Sequence, residues 1–278
     1  MTFAELTPAQ LRRDPLPLRG RIALVTGVSR RAGIGYAIAR RLAAQGASLV
    51  LHHYAPHDRE QPWGADPGGP EAVLAGVTAA LANPHATVRH HEADLSDPDA
   101  PSRLIETAAA TSRFLDILVC NHARSGHAPL GTLTAEMLDA HWAVNTRASI
   151  LLAQAFAARH DDSRPGGRVV FMTSGQDLGP ITGEVAYAAS KGALASITRT
   201  LADHLADRGI TLNTVNPGPV DTGYAPPDVL EAVRHHFPQG RWGAPDDPAR
   251  LIAWLVTDDA AWITGQVIDS EGGFRRWD

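Results

Sequence analysis

The chain of 278 residues contains one cysteine, Cys120, so it can form neither an internal disulfide nor a thiolate metal cluster, and a cytoplasmic location is expected. No apolar run approaches the roughly 18 residues that a membrane span requires. Its start, Met1-Thr2-Phe3-Ala4-Glu5, lacks the basic segment and apolar core of a secretion signal. Neither sign of charge dominates: 25 Lys and Arg stand against 30 Asp and Glu, for a formal charge of −5. That balance gives no electrostatic reason to expect nucleic acid or a membrane surface as partner. Long repeats and a second composition regime are also missing, so one domain is expected over 21–278, preceded by a proline-bearing surface extension over 1–20. Histidine is plentiful, with 13 in all and adjacent pairs at His52-His53, His90-His91 and His235-His236. Adjacent side chains diverge on strands and helices alike, so no metal site is expected from them and they read as scattered polar positions.

What the chain does have is 44% hydrophobic residues, enough to bury a full core. From Arg21 onward, short β-rich apolar runs alternate with longer alanine-rich segments whose apolar residues recur every three or four positions. This alternation predicts an α/β fold with a doubly wound, seven-stranded parallel sheet, the Rossmann architecture. The expected strands are 22–26, 48–52, 87–92, 117–120, 168–173, 211–215 and 267–269. Helices are expected to begin near Gly35, Pro70, Pro101, Thr134, Tyr187 and Asp246. The stretch from Ala55 to Pro70, rich in proline and glycine, reads as a long surface loop.

Two groups of residues carry chemistry. The first strand runs into Thr26-Gly27-Val28-Ser29-Arg30-Arg31-Ala32-Gly33-Ile34-Gly35, a glycine turn that lets backbone approach a pyrophosphate at a helix N-terminus. At the end of the second strand, where an acid would favour NAD, the run is Leu51-His52-His53-Tyr54, with no acid until Asp58. With Arg30 and Arg31 in the turn, NADP(H) is favoured over NAD(H). The second group is Tyr187 with Lys191 at i+4, a spacing that stacks the two on one helix face and allows an ammonium to ease ionisation of the phenol. Ser174, at the end of the apolar run Val169 to Met172, could hydrogen-bond the same substrate oxygen. Taken alone, the tyrosine-lysine spacing is common on solvated helices; it gains weight from the turn upstream.

With these elements in this order, the chain from Arg21 resembles the short-chain dehydrogenase/reductase family. The resemblance implies an adenine contact at Asp94 and Leu95, a catalytic asparagine at Asn145, and a nicotinamide-contacting segment that includes Pro217, Gly218, Val220 and Thr222. It also implies that Asn121 and Ala123 line the cofactor, that Lys191 binds ribose hydroxyls, and that Asn145 holds a water linking Lys191 to solvent. Two departures stand out. Five residues separate Gly27 from Gly33 where the family usually has three, and Cys120-Asn121-His122-Ala123 replaces the usual Asn-Asn-Ala-Gly, with His122 in place of a small residue. The longer turn resembles bacterial members described as 3-oxoacyl-carrier-protein reductases. The implied activity is interconversion of a ketone and a secondary alcohol, since three residues rather than six separate Tyr187 from Lys191 and carbonyl chemistry is thereby preferred to enoyl reduction. A 3-oxoacyl thioester and a free small ketone, sugar or polyol both remain candidate substrates, and a dinucleotide sensor without catalysis is the alternative of another class. The family also implies a homotetramer, joined through the helices beginning near Thr134 and Tyr187 and through the C-terminal region, where Trp254, Trp262, Phe274 and Trp277 are concentrated.

Overall fold

A computed structural model describes residues 5–8, 11–112, 114–164 and 166–277. Seven strands form one sheet: β1 (Ile22–Val25), β2 (Ser48–His53), β3 (Val88–Glu92), β4 (Ile117–Cys120), β5 (Arg168–Met172), β6 (Thr211–Asn216) and β7 (Val267–Asp269). Their order is β3-β2-β1-β4-β5-β6-β7 and every pairing is parallel. The helices that return the chain are α1 (Ile34–Ala44), α2 (Ala55–Arg59), α3 (Gly69–Thr78), α4 (Ala100–Ser112), α5 (Ala135–His141), α6 (Ala148–Arg159), α7 (Val185–Ala206), α8 (Pro227–Arg234) and α9 (Asp246–Leu255).

The inner strands β1 and β4 are apolar at consecutive positions because both faces of the sheet are covered there, whereas the edge strands β3 and β7 carry polar residues and are partly exposed. In β1, Ala23 and Val25 join a core with Ile38 and Leu42 of α1 and Ile252 of α9. Leu24 joins the opposite core with Leu104 of α4, Leu152 and Phe156 of α6 and Leu194 of α7. At the N-terminal end of β1, Asp116 is fully buried. Its carboxylate accepts from Ile22 N at 2.9 Å and from Arg164 at 2.6 and 2.9 Å.

Three expectations need correction. Leu18, in the segment expected to lie across the surface, is completely buried and donates its N–H to Gln45 O; a single apolar side chain suffices to tuck such a segment into the core. The stretch after β2 is not a plain surface loop, because it forms α2 and buries Ala55 and Asp58. Several histidines are core residues: His52, His53 and His122 are 2%, 5% and 7% exposed. Burial holds them neutral, pushing His52 down to about 4 and His122 to about 3.

Candidate active site

The strand order reverses between β1 and β4, which opens a crevice at the C-terminal ends of those strands. The glycine turn and Asn121 meet there. Gly27 has φ +71, and a Cβ on it would lie 2.7 Å from His122 Cα, so only glycine fits against the chain leaving β4. Asn121 Nδ2 donates to Thr26 O at 3.1 Å and to Gly27 O at 3.0 Å, tying the two chain ends together. His122 Nδ1 lies 2.7 Å from Thr26 Oγ1 and its Nε2 lies 2.9 Å from Val144 O. His52 makes a second bridge, with Nδ1 facing Gly27 N and Nε2 facing Ala93 O. Each neutral ring thus uses one nitrogen as donor and one as acceptor to bridge separate chain segments.

These contacts shape a cleft of about 420 Å³ lined by Gly27, Ser29, Arg30, Gly33, Ile34, Asp94, Leu95, Asn121, Ala123 and Thr222 among others. The N-terminus of α1 faces it with neither a side-chain cap at Gly33 nor an acid in its first turn. Its free N–H groups and dipole suit a pyrophosphate. Gly35 does not line the cleft but lets α1 pack against Gly27 O and the Asn121 amide. On the cleft wall just after β3, burial raises the pKa of Asp94, but the hydrogen bonds it accepts from Ser96 N at 2.8 Å and from the Tyr54 hydroxyl lower it on balance.

Several expected contacts are not part of this cleft wall: Gly35, Pro217, Gly218, Val220, Tyr187 and Lys191, and also His53 and Arg31. His53 projects away from the cleft and stacks on His90 at 5.2 Å, while His52 lines the cleft, as alternation along a strand requires. Arg31 is bound by Asp66 through Nε and Nη2 at 2.9 to 3.1 Å and is not part of the cleft wall. Arg30 is part of it. Asp58, Glu60 and Trp63, from the stretch read as surface loop, line it too. No local signal marked them, because they reach the cleft by the fold-back of α2.

Farther along the crevice, Pro217 belongs to a smaller pocket of about 240 Å³ with Glu271. Gly218, at φ +67, packs against Glu271 Cα, and Val220 is buried. Tyr187 stands in the first turn of α7 with Lys191 one turn on. Lys191 is 2% exposed, its Nζ donates to Met172 O at 2.8 Å, and it lies 5.7 Å from the centroid of the Tyr187 ring. Burial pushes Lys191 down to about 8. Burial also pushes the Tyr187 phenol up to about 12, helped by Glu184 and opposed by the hydrogen bond with Ser174. The expectation that the ammonium eases ionisation of the phenol is therefore not met in this state: burial and Glu184 raise the phenol, and the ammonium is turned to the Met172 carbonyl. Burial thus makes the phenol a weaker acid than an ordinary tyrosine in this state.

Asn145 is fully buried in a widened turn, 142–147, of π-helical form between α5 and α6. Its side chain accepts from Arg124 N at 2.7 Å and donates to Arg124 O and Ser190 Oγ, each at 2.9 Å. Those bonds occupy the amide. Its backbone carbonyl accepts from Ser149 Oγ at 2.7 Å. Such single wide turns are frequent at functional positions.

A family model described as enoyl-(acyl carrier protein) reductase matches residues 27–275. An uncharacterized oxidoreductase of Bacillus subtilis, YjdA, is 42% identical over 257 residues, which is 92% of this chain and 97% of that protein. Among solved structures, a short-chain dehydrogenase/reductase from Serratia marcescens superposes with a TM-score of 0.80 at 34% identity, covering 93% of this chain and 99% of that one. A 3-oxoacyl-(acyl-carrier-protein) reductase from Agrobacterium tumefaciens with NADP bound gives a TM-score of 0.82 at 32% identity, covering 97% and 100%.

Proposed function

We infer, because this chain belongs to the short-chain dehydrogenase/reductase family of NAD(P)-dependent oxidoreductases, that it reduces a ketone to a secondary alcohol with NADPH and catalyses the reverse reaction with NADP. What supports this is the stacking of Tyr187 and Lys191 one turn apart on α7, with the Tyr187 hydroxyl hydrogen-bonded to Ser174. The nicotinamide would supply the hydride. Tyr187 gives its proton to the oxygen that develops negative charge, Ser174 hydrogen-bonds that oxygen, and Lys191 provides a positive charge beneath both. Asn145, tied to the Arg124 backbone and Ser190, would hold a water in the relay. Arg30 on the cleft wall favours NADP(H), and the bound NADP of the Agrobacterium protein supports the same preference.

A free ketone fits better than a thioester on an acyl carrier protein. The basic groups beside α8 are paired, Arg234 with Glu231 and Arg241 with Asp247, which leaves little to attract an acidic carrier. The segment 1–20 serves as an extension to a catalytic domain over 21–278, in the cytoplasm. Exposed Met137, Leu138 and Trp142 on the α5 to α6 face, with Trp262 at 99% and Val267 on the edge strand β7, support assembly as a homotetramer. Incubating purified protein with NADPH, NADH and a panel of free ketones, acetoacetyl thioesters and enoyl thioesters tests the reading. NADPH consumption with ketones supports it, and turnover of enoyl thioesters alone overturns it.

A further inference from the structure

The two arginines of the glycine turn are held by acids from the β2 to α3 segment in different ways. Asp66 grips Arg31 through Nε and Nη2, and accepts from Arg31 N at 2.8 Å and Gly68 N at 2.9 Å as well. That is a fixed staple outside the cleft. Asp58 meets Arg30 inside the cleft through one long contact, Oδ1 to Nε at 3.5 Å. The side chains are only 13% and 15% exposed. The Arg30 guanidinium also lies 5.6 Å from the Trp63 ring centroid, and Trp63 Nε1 donates to the same Asp58 oxygen at 3.5 Å. A guanidinium favours short, bidentate carboxylate contacts. This pair has not formed them, although both groups are largely shielded from water, where a carboxylate and guanidinium are costly unless well paired. It has the geometry of a stand-in that a better anion can displace.

Resting on the dinucleotide reading above, we propose that Asp58 is a specificity-determining residue, an internal competitor for the phosphate on the adenosine ribose 2′-oxygen. Arg30 exchanges Asp58 for that phosphate when NADPH binds, and keeps Asp58 when NADH binds. Arg30 alone would give a large preference for the phosphorylated cofactor; Asp58 trims it and lets the enzyme accept both. The staple at Asp66 keeps the segment docked through the exchange, so only the side chains of Asp58 and Arg30 need to move. Glu60 and Asp94, which also line the cleft, add negative charge that makes an unpaired Asp58 less favourable near the phosphate.

Titration of wild type, Asp58→Asn and Asp58→Glu with 2′,5′-ADP, 5′-AMP, NADPH and NADH tests the proposal. The Asp58→Asn variant keeps the size of the side chain and an acceptor for Trp63. It is expected to tighten 2′,5′-ADP and NADPH about 10-fold, equivalent to about 1.4 kcal/mol, and to leave 5′-AMP and NADH within about 2-fold. Asp58→Glu retains the charge and should keep the wild-type ratio. The gain should disappear in Asp58→Asn combined with Arg30→Met. An unchanged or lowered NADPH to NADH affinity ratio in Asp58→Asn overturns the proposal, as does an equal change in both single variants, which would mark a packing effect. If the wild type binds neither nucleotide, the dinucleotide reading itself fails and takes this proposal with it.

Discussion

Lys191→Met should make the protein more stable while destroying its activity. The ammonium is 2% exposed, has Met172 O as its hydrogen-bond acceptor, and has its pKa lowered by burial from 10.5 to about 8. At pH 7 a lysine so placed costs the fold roughly 3 kcal/mol relative to the unfolded chain, where its pKa is ordinary. Methionine has nearly the same length and no charge. Losing the hydrogen bond to Met172 O takes back about 1 kcal/mol, leaving a net gain near 2 kcal/mol and about 5 °C in Tm for a domain of this size. A lysine whose folded pKa is depressed is penalised while it is charged, so the variant's advantage is largest below pH 8. It closes as pH rises from 8 toward 10.5, where the wild-type lysine becomes neutral in both states. Thermal denaturation of both proteins followed by circular dichroism between those limits is the assay. A variant that melts lower than wild type, or an advantage that does not change with pH, would refute the reasoning.

Asp116→Ala should lower stability by about 3 kcal/mol, since it strands the Arg164 guanidinium and the Ile22 N–H at the buried start of β1; urea denaturation measures it, and a loss under about 1 kcal/mol would show that the site tolerates water. Gly27→Ala should cost about 2 kcal/mol or more and abolish nucleotide binding, because the position holds φ +71, which a Cβ disfavours, and the new Cβ would meet the His122 backbone at 2.7 Å. Calorimetric titration showing normal nucleotide affinity in that variant would contradict the close approach described for the turn. Trp262→Glu should shift the protein toward smaller species in light scattering if the exposed indole lies in a subunit contact; an unchanged mass, or a monomeric wild type, would argue against that contact.

The inner strands were legible because they are buried on both faces and so appear as apolar runs, while the edge strands β3 and β7, partly exposed and carrying polar residues, were legible from the alternation around them. The expected ends differ from the observed ones by at most a residue, as at Thr26, Thr87 and Asn216. The glycine turn and the Tyr187 and Lys191 pair were legible for a related reason: backbone approach and one-turn stacking impose fixed spacings. Asp58 and Trp63 were not, because nothing local distinguishes a solvated Pro/Gly-rich loop from one folded back over a cleft by an ion pair with Asp66. The wide turn at Asn145 leaves no mark in a helical pattern, since its cause is a packing demand from Ser190 and the Arg124 backbone. The roles of His52 and His122 were equally hidden. A histidine bridging two chain segments looks in sequence like any other polar residue, and only the meeting of β1, β2 and β4 reveals what each nitrogen serves. The pKa of Tyr187 depends on burial, then on Glu184 and the hydrogen bond with Ser174, and burial cannot be read from the spacing.

The central claim is that Tyr187 transfers the proton that accompanies hydride transfer. It is tested most directly by Tyr187→Phe, assayed for NADPH consumption with a ketone that the wild type reduces, alongside NADPH binding by fluorescence titration. The account predicts loss of turnover by about 100-fold or more, the scale expected for removal of a general acid, with NADPH affinity retained. Turnover by Tyr187→Phe at the wild-type rate would contradict it.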